Sequence, residues 1–174
     1  MLCEENAKRN GFGDNLRVIH ADVKEALRKD LASMPSHGSF SHAFANPPYF
    51  DDSKSTPSPV LLKAQAHAFG PDDLELWIRV MHTMVTMRGT VTLVNRADAL
   101  GKILQVMDER FGDIRIAPLY AREGTSASLV IVQGVKGSKA PMQLLPGLVL
   151  HDSSSQFTPE ADAILREGMA WRLR

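Results

Sequence analysis

Residues 41–50 read SHAFANPPYF, a short apolar segment, Ser41-His42-Ala43-Phe44-Ala45, that runs straight into Asn46-Pro47-Pro48-Tyr49-Phe50. Proline has no N–H and a fixed φ, so two in succession cannot continue a hydrogen-bonded ladder, and a strand over 41–45 must stop at Asn46. The polar, Pro/Ser-rich stretch 51–59 then reads as a loop beside that strand end.

On the amino-terminal side, 16–20 (LRVIH) predicts a strand ending at Ala21-Asp22. Val23, Ala26, Leu27 and Leu31 predict a helix over 23–34, broken by PSHGS at 35–39. Residues 1–10 read as the tail of a helix stopped by Gly11. On the other side, Asp72 or Asp73 caps a helix whose stripe Leu74, Trp77, Ile78, Met81, Met84, Val85 runs to Arg88-Gly89 and is read as core. A strand at 90–94, a helix over 97–111, strands at 114–120 and 127–135 close enough to be an antiparallel pair, an apolar stretch at 141–150, and a helix over 159–169 begun by Thr158 complete the order. Strands alternating with helices and ending in an antiparallel pair describe an α/β layer on a mostly parallel sheet. Ligands of such sheets sit beyond the carboxyl ends of the strands, where Asp22, Asn46 and Asn95-Arg96 are expected, with Asp22 and Asn46 on neighbouring strands.

The 174 residues suit one domain, and 44% hydrophobic with 23% charged residues can bury an ordinary core. Twenty Lys and Arg offset twenty Asp and Glu, so nucleic-acid binding has to use a local basic patch. One cysteine, Cys3, excludes an intrachain disulfide and any multi-cysteine zinc site. His20, His67, His82 and His151 lack paired ligand spacing, so no metal is assigned. No apolar run approaches the length needed to span a bilayer and the charged start lacks a signal-peptide core, which fits a cytoplasmic protein.

Rigid prolines let the Asn46 amide oxygen and the Pro47 carbonyl point at one small donor group. Two acceptors converging on an amine orient its lone pair toward an electrophile and favour the positive charge that develops on nitrogen, as suits the exocyclic amine of adenine. Tyr49 and Phe50 offer aromatic faces for a base withdrawn from its stack. The competing reading is a plain strand-to-loop turn, and for Asp22 a helix cap.

Asn-Pro-Pro-Tyr after a strand resembles the amino-group class of S-adenosylmethionine-dependent methyltransferases. NPPYF, KAQAH at 63–67, RADAL at 96–100 and LLPGLVLHDSSSQFTPEADAIL at 144–165 together resemble the bacterial tRNA1(Val) adenine-37 N6-methyltransferase family. The resemblance implies a Rossmann-like class I methyltransferase sheet, S-adenosylmethionine as methyl donor and RNA, within it tRNA, as partner. It implies Asn46, Pro47, Pro48 and Tyr49 in catalysis, Asp22 and Val23 beside Asn46 at the donor, and Tyr49, Phe50, Lys63, Arg96 and Arg122 against the substrate. The family opens with a strand, a Gly-rich turn and a second strand ending in an acidic residue. Gly11-Phe12-Gly13 follows a helix tail and precedes no helix, so it fails that context. The chain is therefore expected to be the carboxyl-terminal portion of one methyltransferase domain, to bind the donor weakly by itself and to cover exposed apolar area by homo-oligomerisation. Where relatives carry a basic stretch, this chain has Glu123-Gly124-Thr125-Ser126-Ala127-Ser128, leaving Arg96, Arg122, Lys136 and Lys139 as phosphate contacts. A protein glutamine N5-methyltransferase and a non-enzymatic remnant or binding module are the alternatives.

Overall fold

The computed structural model describes residues 2–27, 34–47 and 73–173. In chain order its elements are α1 (Leu2–Arg9), β1 (Phe40–Ala45), α2 (Asp73–Met84), β2 (Val85–Arg96), a 3-10 turn (Ala97–Ala99) and α3 (Leu100–Met107). There follow β3 (Phe111–Arg122), β4 (Ala127–Lys136), β5 (Gln143–Leu144), β6 (Leu148–His151) and α4 (Pro159–Leu165). The strands form one mixed sheet in the order β1-β2-β4-β3-β5, with β6 also on β3. β1 is parallel to β2, β4 is antiparallel to both β2 and β3, and β5 and β6 run parallel to β3. The carboxyl ends of β1, β2, β3 and β6 therefore share one edge of the sheet. The expected α/β architecture and its antiparallel β3–β4 pair are both present.

One face of the sheet is apolar. Val91, Leu93, Ile116, Val130 and Val132 alternate inward with the strand period of two and meet Ile78 and Met81 of α2 and Ile103 and Met107 of α3. The methionine-rich stripe of α2 is thus core. Its other side, Leu76, Val80 and Met84, packs on Val23, Ala26 and Leu27. The opposite sheet face is more polar: Gln133 Nε2 donates to Thr92 Oγ1 at 2.9 Å, and Arg115 Nη1 holds the Leu173 carbonyl at 2.5 Å, so the carboxyl-terminal residues lie across it.

Several boundaries depart from the sequence expectation. Residues 16–20 pair with no described strand, and 23–27 form tight turns in which Glu25 N bonds the Asp22 carbonyl and Ala26 N the Val23 carbonyl. Residues 28–33 of the expected helix lie outside the described residues. α2 ends at Met84, since Val85 already pairs with Phe40; regular pairing resumes at His42 with Thr90 across a bulge in which Arg88 adopts φ 66°. The following helix stops at Met107 and the last at Leu165. Thr158 caps α4 as expected, its Oγ1 accepting from Ala161 N.

Lys136, a candidate phosphate contact from sequence, serves the fold. Its ammonium donates to the carbonyls of His82 at 2.7 Å and Val85 at 2.9 Å, closing the carboxyl end of α2. Lys136→Met keeps the apolar stem and removes both charge-assisted bonds, so a loss of roughly 1–3 kcal/mol is expected from urea unfolding, with Lys139→Met near zero.

Beside that cap, the His82 ring meets the Phe111 ring edge-on at 5.2 Å. Burial, then the charges of Lys136 and Arg110, hold its pKa below the ordinary imidazole value of 6.5. The folded state thus binds the proton less readily than the unfolded chain. The His82 contribution is complete above pH 6.5 and is lost as pH falls through its depressed folded value. Chemical unfolding at a series of pH values is expected to show stability falling below neutrality, with a shallower fall in His82→Gln.

Candidate active site at the carboxyl edge of the sheet

Ala45 is buried against the core and closes β1 in register with Leu93 of β2. The chain leaves the sheet there: Asn46 is exposed, and Pro47 is buried and anchors the turn. Pro48, Tyr49, Phe50 and Lys63 lie outside the described residues. On the neighbouring strand Asn95 is 5% exposed, and its Oδ1 accepts the Arg96 backbone N–H at 2.8 Å, turning the chain into the 3-10 segment. Asn46-Pro47 and Asn95-Arg96 therefore stand side by side on the same edge, as expected for parallel strands.

The donor-side candidates are placed differently. Asp22 follows a segment that pairs with none of the described strands, so among the described residues it does not end a strand beside β1 and the expected juxtaposition of two neighbouring strand ends is not formed. Its Oδ1 accepts from Lys24 N at 2.8 Å, which makes it the cap of the 23–27 turn, and Val23 packs toward α2. The local signal for strand then helix was present, but a strand exists only with a partner, and nothing described pairs with 16–20.

The basic candidates divide between two edges. Arg96 Nε donates to both Asp98 oxygens, at 3.0 and 3.1 Å, and Nη2 also pairs with Asp98. The hydrogen bond from Arg96 holds the Asp98 carboxyl below its usual range. Exposed pairs of this kind are worth about 0–1 kcal/mol, so Asp98 screens Arg96 without locking it. Arg122 ends β3 on this same edge and donates through Nη2 to Ser155 Oγ at 2.8 Å. Lys136 lies beside Phe111, at the amino ends of the parallel strands, and Lys139 continues away from β4 there. The four cations do not make one patch.

Sequence reasoning missed what surrounds Arg122. The β3–β4 turn is closed by Thr125, whose Oγ1 donates to the Arg122 carbonyl at 2.6 Å. Across from it, Asp152 Oδ1 accepts from Ser154 N, Ser154 Oγ and Gln156 N, and the Ser154 hydroxyl is the main reason its carboxyl sits below the usual range. His151 stacks on Phe157 at 5.0 Å, and Arg166 lies 5.2 Å from the Phe157 ring centre. Between hairpin and loop opens a cavity of about 550 Å³, lined by Arg122, Glu123, Val149, His151, Asp152 and Thr158. The Asp-Ser-Ser turn and the Thr158-Pro159 cap were local signals for this loop. The pairing of Arg122 with His151 joins distant segments and has none.

A larger cavity, about 780 Å³, opens between Leu104 of α3 with Asp108 just after it and Lys139 and Met142, at the opposite edge from Asn46. Strand ends in this kind of sheet outrank cavity size as a guide to chemistry.

A solved structure from Agrobacterium tumefaciens, described as a predicted O-methyltransferase, superposes with a TM-score of 0.74 at 25% identity over 97% of this chain and 74% of that one. The fold is that of a methyltransferase. The structure of an M1.HpyAVI–SAM complex matches at 14% identity and a TM-score of 0.39, over 69% of this chain and 54% of its own. No protein-family model and no curated protein matches the sequence. Among the described residues no helix is long and apolar enough to cross a membrane.

Proposed function

We propose that this chain carries out S-adenosylmethionine-dependent N6-methylation of adenine in RNA, with tRNA as the acceptor. The observation that carries the reading is the placement of exposed Asn46 and anchored Pro47 at the carboxyl end of a parallel strand in a methyltransferase fold. The resemblance of NPPYF, RADAL and the 144–165 segment to the tRNA1(Val) adenine-37 family supports the choice of acceptor.

S-adenosylmethionine supplies an electrophilic methyl carbon on a sulfonium centre. The Asn46 amide oxygen and the Pro47 carbonyl accept the two N–H groups of the acceptor amine and direct its lone pair outward from the turn. Positive charge developing on the acceptor nitrogen during methyl transfer would be stabilised by the two carbonyl dipoles, and the surplus proton would leave to water. Tyr49 and Phe50 would stack on the extruded base. On the donor side, one Asp22 oxygen is committed to the 23–27 turn and the other would receive an N–H of the donor's adenine. The described residues thus fit the acceptor more fully than the donor.

Incubation with methyl-labelled S-adenosylmethionine, offering tRNA and a glutamine-containing release-factor protein in parallel, tests the reading. Label in tRNA is expected. Label in glutamine would favour the protein N5-methyltransferase, which shares the Asn-Pro-Pro-Tyr turn, and label in neither would favour a binding module.

A further inference from the structure

The cavity beside Arg122 shares the edge of the sheet with Asn46 but not its immediate neighbourhood. β1 and β3 are separated by β2 and β4, three strand spacings or about 14 Å, and β6 stands one further spacing out. A group held there is too far from Asn46 to belong to the reacting base, yet lies along the same edge, within reach of a nucleotide a few positions away on the same strand.

Its charges select the ligand. Glu123 and Asp152 set two carboxylates against the single Arg122 guanidinium, and Asp152 is held ionised by its turn, so an anion such as a phosphodiester is disfavoured. A neutral group offering both donors and acceptors matches. His151 contributes its ring to the lining. Guanine presents two adjacent N–H donors, N1 and N2, to which a carboxylate is complementary, and the acceptor pair O6 and N7, which a guanidinium fork reads. No other standard base carries both pairs. Arg122 is presented for this by its bond to Ser155 and by the Thr125-closed turn.

We propose that this cavity is a specificity subsite for a guanine flanking the methyl acceptor in single-stranded RNA, with a carboxylate of Glu123 or Asp152 on the N1/N2 edge and Arg122 on O6/N7. The proposal rests on the RNA reading above and sharpens it, replacing Arg122 as a phosphate contact by Arg122 as a base reader.

The test is binding of short single-stranded RNAs to the full chain by fluorescence anisotropy, scanning one guanine through the positions around a central adenine. At one position guanine is expected to bind about tenfold more tightly than inosine, which lacks the N2 amine, or adenine. The double variant Glu123→Gln, Asp152→Asn is expected to erase the guanine-over-inosine preference, and Arg122→Met the guanine-over-adenine preference. Comparing bases on unaltered protein removes any dependence on variant folding. Equal affinity for all bases at every position would overturn the proposal, as would a preference that survives both substitutions, or a loss on Arg122→Met that is uniform across bases and steep in salt, the mark of a phosphate contact. Methyl transfer to RNA without any flanking-base preference would sink the subsite and leave the proposed function standing. Base-selective binding without methyl transfer would do the reverse.

Discussion

Asn46→Ala is expected to lower methyl transfer at least roughly 100-fold, because loss of one preorganised acceptor at a centre that gains charge typically removes a few kcal/mol of transition-state stabilisation. Asn46 is exposed at a strand end whose preceding residue, Ala45, is locked into register with Leu93 and whose following residue, Pro47, is buried. These flanking anchors are expected to keep β1 in register with β2 in Asn46→Ala, which thermal unfolding of the variant checks. Asn46→Asp retains an acceptor oxygen and should keep part of the activity. The proposed mechanism turns Asn46 toward the acceptor, so calorimetric affinity for S-adenosylmethionine is expected to be little altered. Near-normal turnover in Asn46→Ala would remove this residue from the chemistry.

Gly147→Ala is expected to be the most damaging single methyl group added to the fold. β5 and β6 are two parts of one edge strand on β3: Leu144 pairs with Ile116 and Leu148 with Leu119, so the edge takes four steps where β3 takes three. The extra residue is absorbed at Pro146-Gly147, where Gly147 adopts φ 85°. A Cβ there would lie 2.2 Å from the Pro118 carbonyl oxygen and 3.0 Å from the Tyr120 ring. Left-handed strain and a backbone clash together are worth roughly 2–5 kcal/mol. Relief requires β6 to move off β3, carrying His151 away from Arg122. A fall in the denaturation midpoint is therefore expected together with loss of guanine selectivity in RNA binding. An Ala variant of unchanged midpoint would show that the edge strand is held less tightly than this geometry requires.

What could be read from the sequence was local. Ala45-Asn46-Pro47-Pro48 announces its own strand end, because proline chemistry acts on the residue itself. The stripe from Leu74 to Met84 announces a core helix, and the short spacing between 114–120 and 127–135 their antiparallel pairing. What failed depended on partners elsewhere in the chain. The apolar run 16–20 has strand composition, but no described strand receives it. The α2 stripe continues into Val85 and so hides a helix end that pairing with Phe40 decides. Lys136 looked like one more surface cation, and only the fold brings it to the carbonyls of His82 and Val85, more than fifty positions away. Of the candidate site, the placement of Asn46 and Pro47 at a strand end was legible because one turn holds both. The cavity at Arg122 was not, because His151 joins it through β6 pairing and Glu123 looked like the loss of a basic stretch instead of a reader of bases.

The Asn46-Pro47 turn is proposed to present an adenine amine for methyl transfer. The most direct measurement is nucleoside analysis of RNA treated with the protein and methyl-labelled S-adenosylmethionine, digested to single nucleosides and separated against standards. The label is expected to run with N6-methyladenosine and to disappear in Asn46→Ala. Label on a ribose hydroxyl, on a ring nitrogen or on another base, at a rate indifferent to Asn46, would contradict it.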